Sequence, residues 1–208
     1  DPADDRYRLT LLVRGLAEGF DDEAWITQIA RPCINDLCKD IVWPVTLLSP
    51  SGTSMLIRDT TDHASPLAVE RFTAGFRLPL LMSASGRVYL AFCQPEPRDT
   101  LLEILSRSTR EEDKLARSRP EVEKILDEAR GQGYATTVRT RRVSEEVAMS
   151  VPVLVDERVL ATVAVRFSAN AVPLGLAVER FVPKLHETAR TIRERFSDAH
   201  RDAHRNAQ

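Results

Sequence analysis

Apolar residues recur at helical spacing near the start of the chain. Leu11, Leu12, Leu16 and Phe20 form one stripe, and Trp25, Ile29, Cys33 and Leu37 form a second. Asp21-Asp22-Glu23 between them offers an N-cap and an acidic first turn. Pro32 falls inside the second stripe and is expected to kink or divide that helix. Cys33 and Cys38 read as small buried hydrophobes on it. Before the first stripe, Arg6-Tyr7-Arg8-Leu9-Thr10 reads as the end of a strand begun upstream.

From residue 43 the spacing becomes strand-like. Val45 to Ser49, a turn containing Pro50 and Gly52, and Met55 to Asp59 predict a hairpin. Gly75 to Leu78 predicts a third strand ending at Pro79. Ser83-Ala84-Ser85-Gly86 opens a short helix over Arg87 to Cys93. Its apolar residues Val88, Tyr89, Leu90 and Phe92 lie on most sides, which predicts burial. Residues 96–131 are helical and highly charged in mixed sign, as a solvated surface with local ion pairs would be, and Gly131-Gln132-Gly133 ends the run. Strands follow at Tyr134 to Val138, Val147 to Val155 and Leu160 to Phe167, the last two joined at Asp156-Glu157-Arg158. A final helix carries Val178, Phe181, Leu185, Ile192 and Phe196, and its polar tail, 199–208, is expected to fray.

Strands in adjacent runs pair antiparallel in the simplest topology. The expected class is therefore α+β, with helices packed on one face and at the ends of a sheet. The chain has 208 residues and 43% apolar residues, enough for a core without staples. The 29 basic and 31 acidic side chains give a net charge of -2, which does not suit nucleic-acid binding by this chain. No run approaches the roughly 20 apolar residues of a membrane span. The acidic opening, Asp1-Pro2-Ala3-Asp4-Asp5, is not that of a secretory leader. With 3 cysteines and no CxxC pattern, a reducing cytoplasm is expected.

Chemistry-bearing motifs are scarce. GxSxG, HExxH, Walker and GxGxxG patterns do not occur. His200 and His204 share a helix face at metal-binding spacing but have no third ligand nearby, so solvated surface is preferred. Cys93 has no adjacent histidine, which gives a nucleophilic role little support. No cofactor or metal is expected, and an enzyme is the poorer class.

Several blocks in order carry a family resemblance. Leu78-Pro79-Leu80-Leu81-Met82-Ser83-Ala84-Ser85-Gly86-Arg87-Val88-Tyr89-Leu90-Ala91 resembles the central signature of the IclR family of bacterial transcriptional regulators. The likeness continues in Gly131-Gln132-Gly133-Tyr134-Ala135, Ala148-Met149-Ser150-Val151-Pro152-Val153 and Ala161-Thr162-Val163-Ala164-Val165. Tyr7-Arg8-Leu9-Thr10 resembles the strand closing that family's winged helix-turn-helix. Trp43-Pro44-Val45, Arg58-Asp59-Thr60-Thr61 and Gly75-Phe76-Arg77-Leu78-Pro79 are similar to the MhpR-like branch, which activates hydroxyphenylpropionate breakdown.

The resemblance implies a C-terminal effector-binding domain at 21–198, with 1–20 as the end of a DNA-binding domain and a linker helix, and 199–208 as a tail. It implies a curved, six-stranded antiparallel sheet of GAF-like or PAS-like character with flanking helices, preceded by linker helices. It also implies a small organic acid as effector, operator DNA bound through an absent N-terminal domain, a homodimer or homotetramer, a cytoplasmic setting and no membrane.

The residues point to an acid site independently. A helix opening at Ser83, Ala84 and Ser85 offers unpaired N–H groups and a positive dipole end, which suit a carboxylate; a plain serine cap is the alternative. On the last strand Thr162, Ala164 and Arg166 alternate onto one face. Arg166 either clamps the carboxylate through two hydrogen bonds, points to water, or pairs with Glu145 or Glu146. Arg166→Ala is accordingly expected to weaken acid binding with the fold intact, and Ser85→Pro to do so by removing an amide donor. The resemblance places Ala148 and Thr137 at the same pocket. Phe72, Phe76 and Leu78 form a candidate apolar wall for a ring-bearing ligand. A stand-alone GAF-like binding or dimerisation module is the rival reading, and a helix-turn-helix upstream of Asp1 discriminates the two.

Overall fold

The computed structural model describes residues 24–140 and 145–206. The strand expected at Tyr7 to Thr10, the stripe Leu11 to Phe20 and the Asp21 cap lie outside the described residues. A π-helical turn, Ile26–Ala30, runs directly into α1, Arg31–Ile41. Pro32 therefore stands just after the π-helical turn, where the hydrogen-bonding pattern of the helix changes. It divides the expected helix.

Two strands, β1 (Val45–Ser51) and β2 (Ser54–Thr60), form the first hairpin, and a loop over 61–76 leads to β3, Arg77–Pro79. Next come α2 (Ala84–Phe92), α3 (Pro95–Ser106), a 3-10 segment (Glu111–Arg117) and α4 (Arg119–Gln132). The chain then forms β4 (Ala135–Thr140), β5 (Glu145–Val155) and β6 (Arg158–Ser168), and ends in α5, Leu174–Asn206. Helix α5 continues well past Phe196 into the segment expected to fray, with an Arg201–Asp198 ion pair along it.

All strands join one six-stranded sheet in the order β3-β2-β1-β6-β5-β4, with every neighbouring pair antiparallel. Register shifts at Leu47/Leu48 and Val153/Leu154 bend the strands and help the sheet curl. The β5–β6 turn places Asp156 and Glu157 at φ 47° and 60°, the left-handed pair that suits a tight hairpin.

Helices cover both faces of the sheet rather than one face and its ends. Val147, Met149, Val151, Val163, Val165 and Phe167 pack against α1 and α5, Trp25 and Trp43. Leu48, Met55, Ile57 and Ala164 face α2, α3 and α4 through Leu80, Val88, Leu90, Leu102, Leu105 and Leu126. The reason lies in β5 and β6. Both are buried on both faces, so each face requires cover. Mixed-charge ion pairs on α3, α4 and the intervening segment, such as Arg119–Glu123 and Lys114–Glu111, lie at the surface as expected.

Candidate functional site

The start of α2 faces the curled sheet across a small, mostly apolar cavity of about 30 Å³. Its position follows from a tight local fold. Ser83 is the N-cap, in extended backbone at φ -112°, ψ 145°. Its Oγ accepts from the Gly86 N–H at 3.1 Å and donates to the Pro79 carbonyl at 2.8 Å. That second bond ties the helix to the end of β3. Arg87 donates through Nε to the Leu81 carbonyl at 2.9 Å and through Nη1 to the Thr136 carbonyl at 3.3 Å, fixing the same turn to β4. Burial lowers the pKa of this guanidinium, with Glu128 opposing the shift.

Ser85, 3% exposed, meets the sheet at Ser150 with an Oγ–Oγ distance of 3.1 Å. Ser150 donates to the Val163 carbonyl at 3.2 Å, so Ser85 supplies the proton between the two hydroxyls. The N–H groups of Ala84 and Ser85 belong to the first turn and have no carbonyl below them in the helix. Both residues line the cavity.

The remaining walls are mostly apolar. Leu48, Ile57, Phe72, Leu78, Ala148 and Ala164 surround the space, with Thr46 and Arg166 at the polar margin. The structure thus brings Phe72, Leu78, Ser83, Ala84, Ser85, Ala148, Ala164 and Arg166 to one cavity. It leaves out two. Phe76 is half exposed and packs on the outer side of Phe72, ring centroids 4.9 Å apart. Thr137 stands opposite Ala148 in the β4–β5 register but does not line the space.

Arg166 neither points to water nor stands free to clamp a ligand. It is 7% exposed and forms an ion pair with Asp62, itself 1% exposed. Its Nη1 donates to the Glu70 carbonyl at 3.2 Å and lies 3.6 Å from Glu146. The guanidinium carbon sits 4.5 Å from the Phe72 ring centroid, over the ring's negative face. Asp62 also accepts from the Phe72 N–H and the Thr60 hydroxyl, each at 2.6 Å. The loop over 61–76 is thereby fastened to β6 at Asp62, Glu70 and Phe72. Arg166 Nε is buried without an acceptor.

The cysteine alternative has no chemical support here. Burial is the leading cause that pushes the Cys93 thiol up to about 11, so it is protonated at neutral pH and a poor nucleophile. Cys33 and Cys38 are buried in the core under α1, as small hydrophobes would be.

The family model described as "Bacterial transcriptional regulator IclR C-terminal" matches residues 22–194. The chain belongs to this IclR C-terminal family. Solved structures share the fold. The C-terminal domain of Escherichia coli KdgR is 21% identical, with 82% of this chain and 96% of that one covered at a TM-score of 0.65. Thermotoga maritima IclR is 20% identical, with 82% and 68% covered at 0.69. The inducer-binding domain of an Acinetobacter PobR double mutant, in complex with 3-hydroxybenzoic acid, is 22% identical, with 80% and 96% covered at 0.63. An IclR homologue from Microbacterium hydrocarbonoxydans complexed with 4-hydroxybenzoate is 23% identical, with 83% and 68% covered at 0.61.

This IclR C-terminal domain is part of a transcriptional regulator, and its family is not one of enzymes. Among its described residues no helix is long and apolar enough to cross a membrane. Thr46, Leu48, Ile57, Asp62 and Ser150 are residues of the site region that the sequence did not mark out. Alternation along β1 puts Thr46 and Leu48 on one face, a signal that was available. Asp62 has none, since its partner Arg166 lies 104 positions away.

Proposed function

We propose that this domain senses a small carboxylic acid with an apolar, ring-bearing middle. The observation that carries this is the cavity where the first turn of α2 meets an apolar lining. Unpaired amides and the positive end of the helix dipole favour an anion at Ala84 and Ser85. Phe72, Leu78, Leu48 and Ile57 suit an aromatic ring. The hydroxybenzoates held by the PobR domain and the Microbacterium homologue support an acid of this kind.

In this reading residues 21–198 are the effector domain, and 1–20 the end of a winged helix-turn-helix and its linker. Effector binding acts only through unequal affinity for two arrangements of the protein. The loop over 61–76 and α1 carry the difference towards the DNA-binding domain, in a cytoplasmic homodimer or homotetramer. The likeness to the hydroxyphenylpropionate branch favours a catabolic regulator. No operator binding is expected of this chain alone.

A thermal-shift screen of the 208-residue chain against aromatic and aliphatic acids tests the proposal. An acid at about 100 times its dissociation constant adds about 2.7 kcal/mol, a rise of several degrees. Failure of every acid to raise the melting temperature overturns it.

A further inference from the structure

The cavity at α2 is too small for the ligand its lining suits. Its volume of about 30 Å³ is room for a water or two. A cavity that takes benzene measures about 150 Å³, and pockets for small molecules measure about 300–1,000 Å³. An aromatic acid therefore enters only if part of the wall moves.

One wall differs from the rest. Among the described residues that line the cavity, Phe72 alone comes from the loop over 61–76; the others stand on strands or at the start of α2. The strands are tied into the sheet. The start of α2 is held by the bond from Ser83 to Pro79 and by the contact of Gly86 with the Leu80 main chain. The loop, in contrast, is fixed towards its ends. Ser65 donates to the Val42 carbonyl at 2.6 Å. The Gly75 N–H donates to the Ile57 carbonyl at 2.8 Å, and the Ile57 N–H to the Phe76 carbonyl at 2.9 Å. Gly75 has φ 91°, with open space where a Cβ would stand, so a backbone rotation there meets no side-chain clash.

Between these ends the chain runs along the surface. Phe72 turns inward, 9% exposed, while Arg71 and Thr73 on either side are exposed. Three contacts keep the ring in place: its own N–H donates to Asp62 at 2.6 Å, Arg166 lies over one face, and half-exposed Phe76 lies against it from outside. Residues flanking Phe72 bury little apolar area, so moving the segment uncovers mainly one ring.

Resting on the acid site at α2, we propose that Phe72 is the plug of that site. The effector's ring takes the place of the Phe72 ring, and 66–74 swings outward between Ser65 and Gly75. Binding requires this open arrangement, so apparent affinity falls with the fraction of protein that is open. The same displacement takes Phe72 away from Asp62 and Arg166, so filling the cavity is reported at the ion pair that fastens the loop to β6.

Benzoate, whose ring matches that of phenylalanine, is the probe. Calorimetry compares the unaltered chain with Phe72→Ala. An open state populated at about a tenth or less means that Phe72→Ala binds benzoate at least about tenfold more tightly. Truncating an ordinary wall residue does the opposite, because contact with the ligand is lost. Hydrogen exchange on the unaltered chain gives a second readout that does not depend on the folding of a variant. Saturation with benzoate is expected to speed exchange over 66–74, where an ordinary wall would be protected. Equal or weaker binding by folded Phe72→Ala, or slower or unchanged exchange over 66–74, overturns the plug and leaves the acid site standing. No binding to the unaltered chain or to any folded variant overturns the acid site and the plug together.

Discussion

A Cβ added to Gly86 would lie 2.1 Å from the Leu80 carbonyl oxygen and 2.5 Å from Leu80 Cα. The first turn of α2 is thus pressed onto the backbone of the preceding turn, and the neighbours that would have to move are main chain. Gly86→Ala is expected to destabilise the domain by about 1–3 kcal/mol through overpacking. At roughly 2–4 °C per kcal/mol for a domain of this size, a thermal melt resolves it. An unchanged melting temperature contradicts the close approach.

The burial of Arg166 against Asp62 changes what its removal does. Taking away the guanidinium leaves Asp62, 1% exposed, as an uncompensated buried charge. Arg166→Ala is therefore expected to lower stability by roughly 3–5 kcal/mol, in place of the intact fold the sequence alone suggests. Arg166→Met combined with Asp62→Asn should recover much of that loss, because neither charge is then stranded. Denaturant titrations of the single and double variants give the coupling directly, and simple additivity of the two changes contradicts the pairing.

Ser83 as N-cap makes Ala84 the first helical residue and Ser85 the second. Proline at Ser85 would push Ala84 away from helical backbone, so that substitution disturbs the fold as well as the donor. Ala84→Pro is cleaner. The first helical position accepts proline, and Ser83 already has the extended backbone that precedes one. The variant is expected to keep its far-ultraviolet circular dichroism and to bind an acid effector on the order of tenfold more weakly. Unchanged affinity would falsify a role for the Ala84 amide.

His186 on α5 lies against Gly133, where an added Cβ would come within 3.3 Å of Nε2. Burial holds its pKa below the ordinary value of 6.5. The unfolded chain therefore takes up the proton first as pH falls. The contribution of His186 is fully present above pH 6.5 and is lost as pH drops through the lower folded value. His186→Gln should flatten the stability profile as pH falls below 6.5. A profile unchanged in slope contradicts the burial effect.

Much of this architecture is legible in one sequence, for definite reasons. The alternation of Thr162, Ala164 and Arg166 placed these residues on one face, and the small residues Ser83 to Gly86 marked the start of α2. Two features were hidden. Cover on both faces depends on the interior position of β5 and β6 in the strand order, which local periodicity does not encode. Of the partners of Arg166, Glu146 was among those the sequence offered, but Asp62 depends on the path of the loop over 61–76, and a lone aspartate after a threonine pair gives no sign of a buried ion pair. Helix α5 runs on to Asn206, past Phe196, the last apolar position of its stripe, with an Arg201–Asp198 ion pair along it.

The central claim is that an acid effector is held as an anion at the first turn of α2. Calorimetric comparison of 4-hydroxybenzoate with its neutral amide, 4-hydroxybenzamide, on the unmodified chain tests it most directly. The two ligands share size, ring and hydroxyl, and differ in the charge presented to Ala84 and Ser85. The account predicts that the acid binds at least about tenfold more tightly, as a charge-assisted hydrogen bond requires. An amide that binds as tightly as the acid would contradict it, and recognition would then rest on the apolar shape of the cavity.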